Sequence, residues 1–161
     1  TIGERVWDVQ RAIDVLERHF PQADASRILC MGNSGGGTTA LFAGCVETRI
    51  GYCMPSCYFC AFEDSIGAMH HCACNYVLRL RLYFDAGDLA GLVAPRPLVI
   101  VAGREDPIFP LHGVQKSYAV AQQCYQAANA PDRLQLVIGE GAHRFYADDA
   151  WPAMKTQMDK A

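Results

Sequence analysis

Residues Arg27–Thr39 read RILCMGNSGGGTT. The apolar run Ile28 to Met31 stops at glycine, and the pattern turns helical from Thr38 to Ala43, so a buried strand passes directly into a helix. Ser34 stands at that turn, inside the pattern Gly32-x-Ser34-x-Gly36. A side chain displayed on so sharp a strand-to-helix turn requires neighbours without a Cβ two positions to either side. The Gly35 amide, at the positive end of the helix, then points to where negative charge develops when Ser34 attacks a carbonyl.

A glycine-rich turn before a helix also suits a phosphate. Gly32 and Gly37 have the spacing of a phosphate loop, but Thr38 stands where a lysine would neutralise the charge, and no G-x-G-x-x-G run is present. A purely structural glycine turn is the remaining alternative, and only partners elsewhere in the chain decide against it.

Outward from the turn, Val6, Val9, Ile13, Leu16 and Phe20 recur at helical intervals. With Thr1 and Glu4 at capping-box spacing, they predict an amphipathic helix over residues 3–20, ended by Pro21. Strands are expected at Ser26–Met31, Ile50–Met54 (closed by Pro55), Pro97–Ala102 and Leu134–Ile138; helices at Gly35 to about Cys45, Asp88–Val93, Leu111–Ala128 and from near Tyr146. Alternation of strand with helix makes the sheet parallel, about four strands flanked by helices, in a single α/β domain over residues 1–161. Residues 56–95 have no clean period and are rich in aromatics, the composition of a segment that walls a binding cleft.

Hydrophobic residues at 51% and charged residues at 19% describe an ordered globular chain, and a net charge of −3 gives no reason to expect nucleic acid or an anionic membrane as partner. No apolar run approaches the roughly 20 residues of a membrane helix, and Thr1-Ile2-Gly3-Glu4 shows no signal core, so a soluble chain without a targeting signal is the expectation from these residues, its compartment left open.

Of the eight cysteines, Cys30, Cys45, Cys53 and Cys124 sit in apolar or helical patterns and read as core. Cys57, Cys60, Cys72 and Cys74 cluster around His70 and His71, donors enough for a zinc site, although Cys72-x-Cys74 is tighter than a zinc knuckle. Disulfides or free buried thiols fit the same residues. A zinc-binding module spanning Cys57 to Cys74 is therefore one alternative function.

In a parallel sheet, groups at the carboxyl ends of neighbouring strands converge on one crevice. Ser34, Asp106 and His143 each directly follow an expected strand. A serine hydroxyl is a weak nucleophile until a base takes its proton: His143 fits as that base, and Asp106 as the acid that fixes its tautomer and stabilises the imidazolium. Asp106-Pro107 also reads as a plain turn, and Glu105 competes for the acid role, but the turn favours Asp106. His19 ends a helix and His112 starts one, so both read as surface groups, while His70 and His71 border the cleft.

These residues resemble the α/β-hydrolase fold, whose chain order of serine, acid and histidine they follow. Within it the resemblance is to the esterase branch described as acetyl xylan esterase-like or dienelactone hydrolase-like. It is carried by MGNSGGG at 31–37, DSIGAMHHC at 64–72, APRPLVIVAG at 94–103, EDPIFP at 105–110 and GEGAHRFY at 139–146. It implies Ser34 as nucleophile, Asp106 as acid, His143 as base and the Gly35 amide as an oxyanion donor, in a serine carboxylesterase of small short-acyl esters that needs no cofactor or metal. A thioesterase, lactonase or amidase would use the same three residues.

The resemblance covers only the carboxyl half of that fold. The amino half supplies the second oxyanion donor, and without it the Ile28–Met31 strand becomes an apolar sheet edge. Two expectations follow: a homo-oligomer that covers this edge, and, as an alternative to the esterase, a folded half-domain without activity of its own.

Overall fold

Thr1 opens the first helix with a capping box, its hydroxyl accepting from the Glu4 amide while Glu4 reaches back to the Thr1 nitrogen. That helix, α1 (Ile2–His19), begins a computed structural model that describes residues 1–160. After a single 3₁₀ turn at Ala25–Arg27 come β1 (Ile28–Asn33), α2 (Gly35–Val46), β2 (Ile50–Ser56), α3 (Ala86–Val93), β3 (Leu98–Gly103), α4 (Leu111–Ala127), β4 (Leu134–Gly139) and α5 (Ala147–Asp159). The four strands lie in the order β1-β2-β3-β4, all parallel, so every return passes through a helix.

The expected elements are present, with two informative shifts. Ser26 is not in the first strand, because Asp24 accepts hydrogen bonds from both the amide and the hydroxyl of Ser26 and holds a 3₁₀ turn there; β1 instead runs on through Gly32 and Asn33 to the serine. Pro55 does not close β2, which continues to Ser56 with Pro55 paired to Gly32. On the other side, the Cys53 amide donates to Pro97 O and the Cys57 amide to Val101 O, so the proline occupies the position between them where one ladder N–H is missing.

All six residues of β3 are buried, as expected of a strand covered on both faces. On one face Cys53, Leu98, Ile100 and Ala102 pack with Leu41 of α2 and with α3 and α4. On the other, Tyr52, Met54, Val99, Val101 and Val137 pack against Ala150, Ala153 and Met154 of α5. Cover thins towards β1, the sheet's edge strand, where Leu29 is only partly buried and Met31 is exposed.

Arg96 ties down the amino end of the sheet. Its guanidinium donates to the carbonyls of Gly44, Glu47, Ile50, Leu92 and Val93, which lie at the ends of α2 and α3 and the start of β2. Helix-terminal carbonyls lack intrahelical donors, and although the Arg96 and Ile50 amides already reach Val93 O and Glu47 O, the guanidinium supplies further donors to the group. Between β2 and α3, residues 57–85 are irregular apart from 3₁₀ turns at Ala73–Asn75 and Leu80–Leu82, and enclose a cavity of about 420 Å³ bordered by Phe62, Ile66, Asn75, Tyr76 and Leu80. No helix among the described residues is long and apolar enough to cross a membrane.

Candidate active site

Ser34 is the N-cap of α2 and takes φ 55°, ψ −118°, a left-handed strained backbone of the kind concentrated at functional sites. Its amide is held by Ser56 O at 2.9 Å. A Cβ on Gly32 would lie 2.4 Å from the Gly36 carbonyl carbon, so the first glycine of the turn is sterically required. Gly36 departs from the expected symmetry: a Cβ there meets nothing within 4 Å, and the second crowded position is Gly37, whose Cβ would lie 2.5 Å from Ser56 O. The half-buried Gly35 supplies the first N–H of α2, which has no intrahelical acceptor. Arg5 of α1 donates to Gly35 O at 3.2 Å and anchors the turn from outside.

Across the crevice, His143 Nδ1 lies 2.8 Å from Asp106 Oδ2. Asp106 is only 4% exposed, and its other oxygen accepts from the amides of Ile108 at 2.9 Å and Phe109 at 3.1 Å. The carboxylate is thus fixed on both oxygens. Nδ1 donates when the imidazole is neutral, leaving Nε2 as the acceptor that a base requires. The loops that carry the pair are laced together, Arg104 N donating to Gly139 O and Glu105 N to Gly141 O. Gly103 permits this crossing, because a Cβ there would lie 2.3 Å from Ala142 O. Glu105, the competing acid, is exposed and makes no contact with the imidazole.

The structure therefore brings together Asp106 and His143, and places Ser34 two strands away along the same row of carboxyl ends. Among the described residues no hydrogen bond joins the Ser34 hydroxyl to His143.

Between them lies a residue that the sequence did not assign to the site. Cys57 follows β2 with φ 47°, is 1% exposed, and donates from Sγ to Arg144 O at 3.2 Å. Its sulfur, an Asp106 carboxylate oxygen and a His143 ring nitrogen all lie within 4.8 Å of one another. Burial, followed by the neighbouring Asp106 charge, raises the thiol's pKa, so Cys57 is a protonated donor rather than a rival nucleophile. Its signal was its position directly after a strand, obscured by the reading of Pro55 as a terminator.

Phe109 stacks on the His143 ring at 5.8 Å between centroids and contacts the His71 ring at 5.4 Å. His71 is buried, with Nε2 3.2 Å from the Ser65 hydroxyl, and burial lowers its pKa, favouring the neutral ring. His19 and His112 are exposed, and His112 faces Asp64 at 3.5 Å.

The zinc module expected as an alternative at Cys57 to Cys74 is not assembled. Cys60 Sγ turns to Pro110 O, Cys72 is exposed and Cys74 packs in the interior. The one grouping of three or more metal-type donors among the described residues is Cys57 with Asp106 and His143. All eight thiols are free; of the four read as core, Cys53 is fully buried, and Cys30, Cys45 and Cys124 are half-buried.

The sheet order and the helices between the strands give the carboxyl-terminal half of an α/β-hydrolase fold. The similarities are more particular. The chain is 28% identical to a putative hydrolase, YtaP, of Bacillus subtilis, over 88% of this chain and 48% of that protein. It is 29% identical to the 4-O-methyl-glucuronoyl methylesterase of Phanerochaete carnosa, over 96% of this chain and 45% of that protein. A CE15 glucuronoyl esterase from Caldicellulosiruptor kristjansonii superposes with a TM-score of 0.81 at 21% identity, covering 97% of this chain and 50% of the other. The glucuronoyl esterase catalytic domain from Hypocrea jecorina superposes with a TM-score of 0.70 at 22% identity, covering 93% and 48%. No family profile matches the chain. The chain thus spans about half the length of the curated relatives it matches.

Proposed function

We propose that the chain is a serine carboxylesterase acting on small, short-acyl esters through an acyl-enzyme. The observation that carries this reading is the His143–Asp106 bond of 2.8 Å, with Asp106 fixed on its second oxygen, in the same row of strand ends as a serine held at positive φ. Ser34 Oγ attacks the ester carbonyl while its proton passes to His143 Nε2, and the Gly35 amide receives the oxyanion. Collapse expels the alcohol, which takes the proton back from the imidazolium. Water then repeats the sequence on the acyl-enzyme, and Asp106 holds the ring throughout. The missing Ser34 to His143 hydrogen bond fits an unliganded site, where such bonds are often long and tighten as substrate binds.

The names of the relatives favour a second reading of the substrate, a methyl ester of a sugar acid, in which the small group is the departing alcohol. Assays with a chromogenic acetate and with a methyl glucuronate separate the two. Covalent labelling by a fluorophosphonate, with identification of the modified residue, tests the mechanism: attachment at Ser34 is expected, and attachment elsewhere or nowhere sinks it. The rival reading, a folded half-domain without activity, predicts no hydrolysis of either ester.

A further inference from the structure

The thiol of Cys57 has no part in ester hydrolysis, yet it sits against both the acid and the base. Thiolate, imidazole and carboxylate together form a borderline-soft donor set that suits Zn²⁺ and discriminates against Mg²⁺ and Ca²⁺, which prefer all-oxygen shells. Donors bound to one zinc at about 2.0–2.3 Å lie roughly 3.3–3.8 Å from one another. Here all three lie within 4.8 Å, and the hydrogen-bonded His143–Asp106 pair, at 2.8 Å, opens by about 0.5 Å to admit the metal in place of the shared proton. Cys57 and Asp106 are buried, and each is fixed by backbone: Cys57 through Arg144 O, Asp106 through two amides. Little ordering is left for a cation to impose.

We propose that Cys57, Asp106 and His143 form a binding site for Zn²⁺, or for a cation of the same thiophilic class, and that its occupation takes the base out of action. The metal displaces one proton, from the Cys57 thiol, since a coordinating thiol is deprotonated outright. It takes the Nδ1 lone pair of His143, the nitrogen that faces Asp106, and the ring proton moves from Nδ1 to Nε2. A ring protonated at Nε2 is a donor and has nothing left with which to accept the serine proton. Three protein ligands leave one position for water, the arrangement of an open zinc site. Inhibition rests on the reading of His143 as the base, whereas the binding does not.

The binding is tested without turnover. The intact chain is dialysed against Zn²⁺ and analysed for metal, and Co²⁺ is titrated in while the near-ultraviolet sulfur-to-cobalt absorption is followed. Retention of about one zinc per chain with a thiolate–cobalt band is expected. Cys57→Ser should abolish the band and weaken retention by at least the roughly 10- to 100-fold that loss of an outer-shell partner costs. His143→Gln, at a more exposed side chain, should weaken retention comparably and decides the matter if the serine variant fails to fold. Because Cys72 is present in every sample, its adventitious metal cancels in the comparison. No uptake by the parent chain, or uptake and spectrum unchanged in both variants, overturns the site. If zinc binds and the metal-free chain hydrolyses no ester, the metal site stands and the esterase reading falls.

Discussion

The two ends of the parallel sheet are built from opposite materials. At the amino ends of the strands, carbonyls from the ends of α2 and α3 and the start of β2 converge on the guanidinium of Arg96, and Arg49 gathers Glu47, Asp14 and Glu17. The Arg96 guanidinium makes five hydrogen bonds to backbone carbonyls, and none of these residues sits at positive φ. At the carboxyl ends the α2 N-terminus offers a free N–H, Ser34 and Cys57 sit at positive φ, and a buried carboxylate holds an imidazole whose second nitrogen faces away from it. Polarity is largely satisfied at one end and left open under strain at the other, and one fold segregates the two by the direction of its strands.

Substitutions at the two ends should therefore separate activity from stability. The largest effect belongs to Ser34→Ala, which should lower ester hydrolysis by about 10⁴- to 10⁶-fold while the melting temperature stays close to that of the parent. Loss of both together would place the serine among the structural groups. Asp106→Asn should cut turnover by about 10³- to 10⁴-fold by favouring the wrong tautomer of His143; steady-state kinetics on the same ester measures it. In contrast, Arg96→Ala should cost on the order of 3 kcal/mol in denaturant unfolding, leaving specific activity of the folded fraction unchanged.

Glu47 gives the amino end a signature in pH. The Arg49 guanidinium, hydrogen-bonded to its carboxylate, lowers its pKa from 4.5 to about 2. A depressed carboxylate stabilises the fold above its unfolded pKa, so this contribution is complete above about pH 4.5 and disappears as the pH falls towards 2. Glu47→Gln should melt below the parent at neutral pH, with the difference shrinking through that window; a difference independent of pH would contradict the linkage. The smallest effect is expected at Gly36→Ala, where a Cβ meets open space and the gain is about 0.5 kcal/mol, while Gly32→Ala two residues before the serine should be strongly destabilising. Equal losses at both glycines would restore the symmetric turn read from sequence.

Much of this was legible in the residues. Continuous apolar runs gave four parallel strands, although β1, read as buried, is only partly covered at the edge of the sheet, and the strand–glycine–helix join at Ser34 marked the strained turn because so tight a turn leaves a local pattern. The Asp106–His143 pair followed from strand ends alone, once the sheet was taken as parallel. What stayed hidden was mostly long-range or depended on which neighbour a group faces. Pro55 looked like a terminator because its tolerance rests on the position of a single ladder bond, and that reading concealed Cys57. Arg96 carries no pattern that tells a carbonyl collector from a surface charge. Gly36 was assigned a crowding that belongs to Gly37, since proximity across the turn depends on how α2 leaves it.

Pro55 has one more consequence. It removes one ladder bond between β2 and β3, and that same line divides Ser34, which follows β1, from Asp106 and His143, which follow β3 and β4. The sheet therefore has a thinner seam beneath the candidate site. The neighbouring bonds, Cys53 N to Pro97 O and Cys57 N to Val101 O, bracket that single gap, so the sheet holds its register across the line while keeping one carbonyl on β3 without a ladder donor.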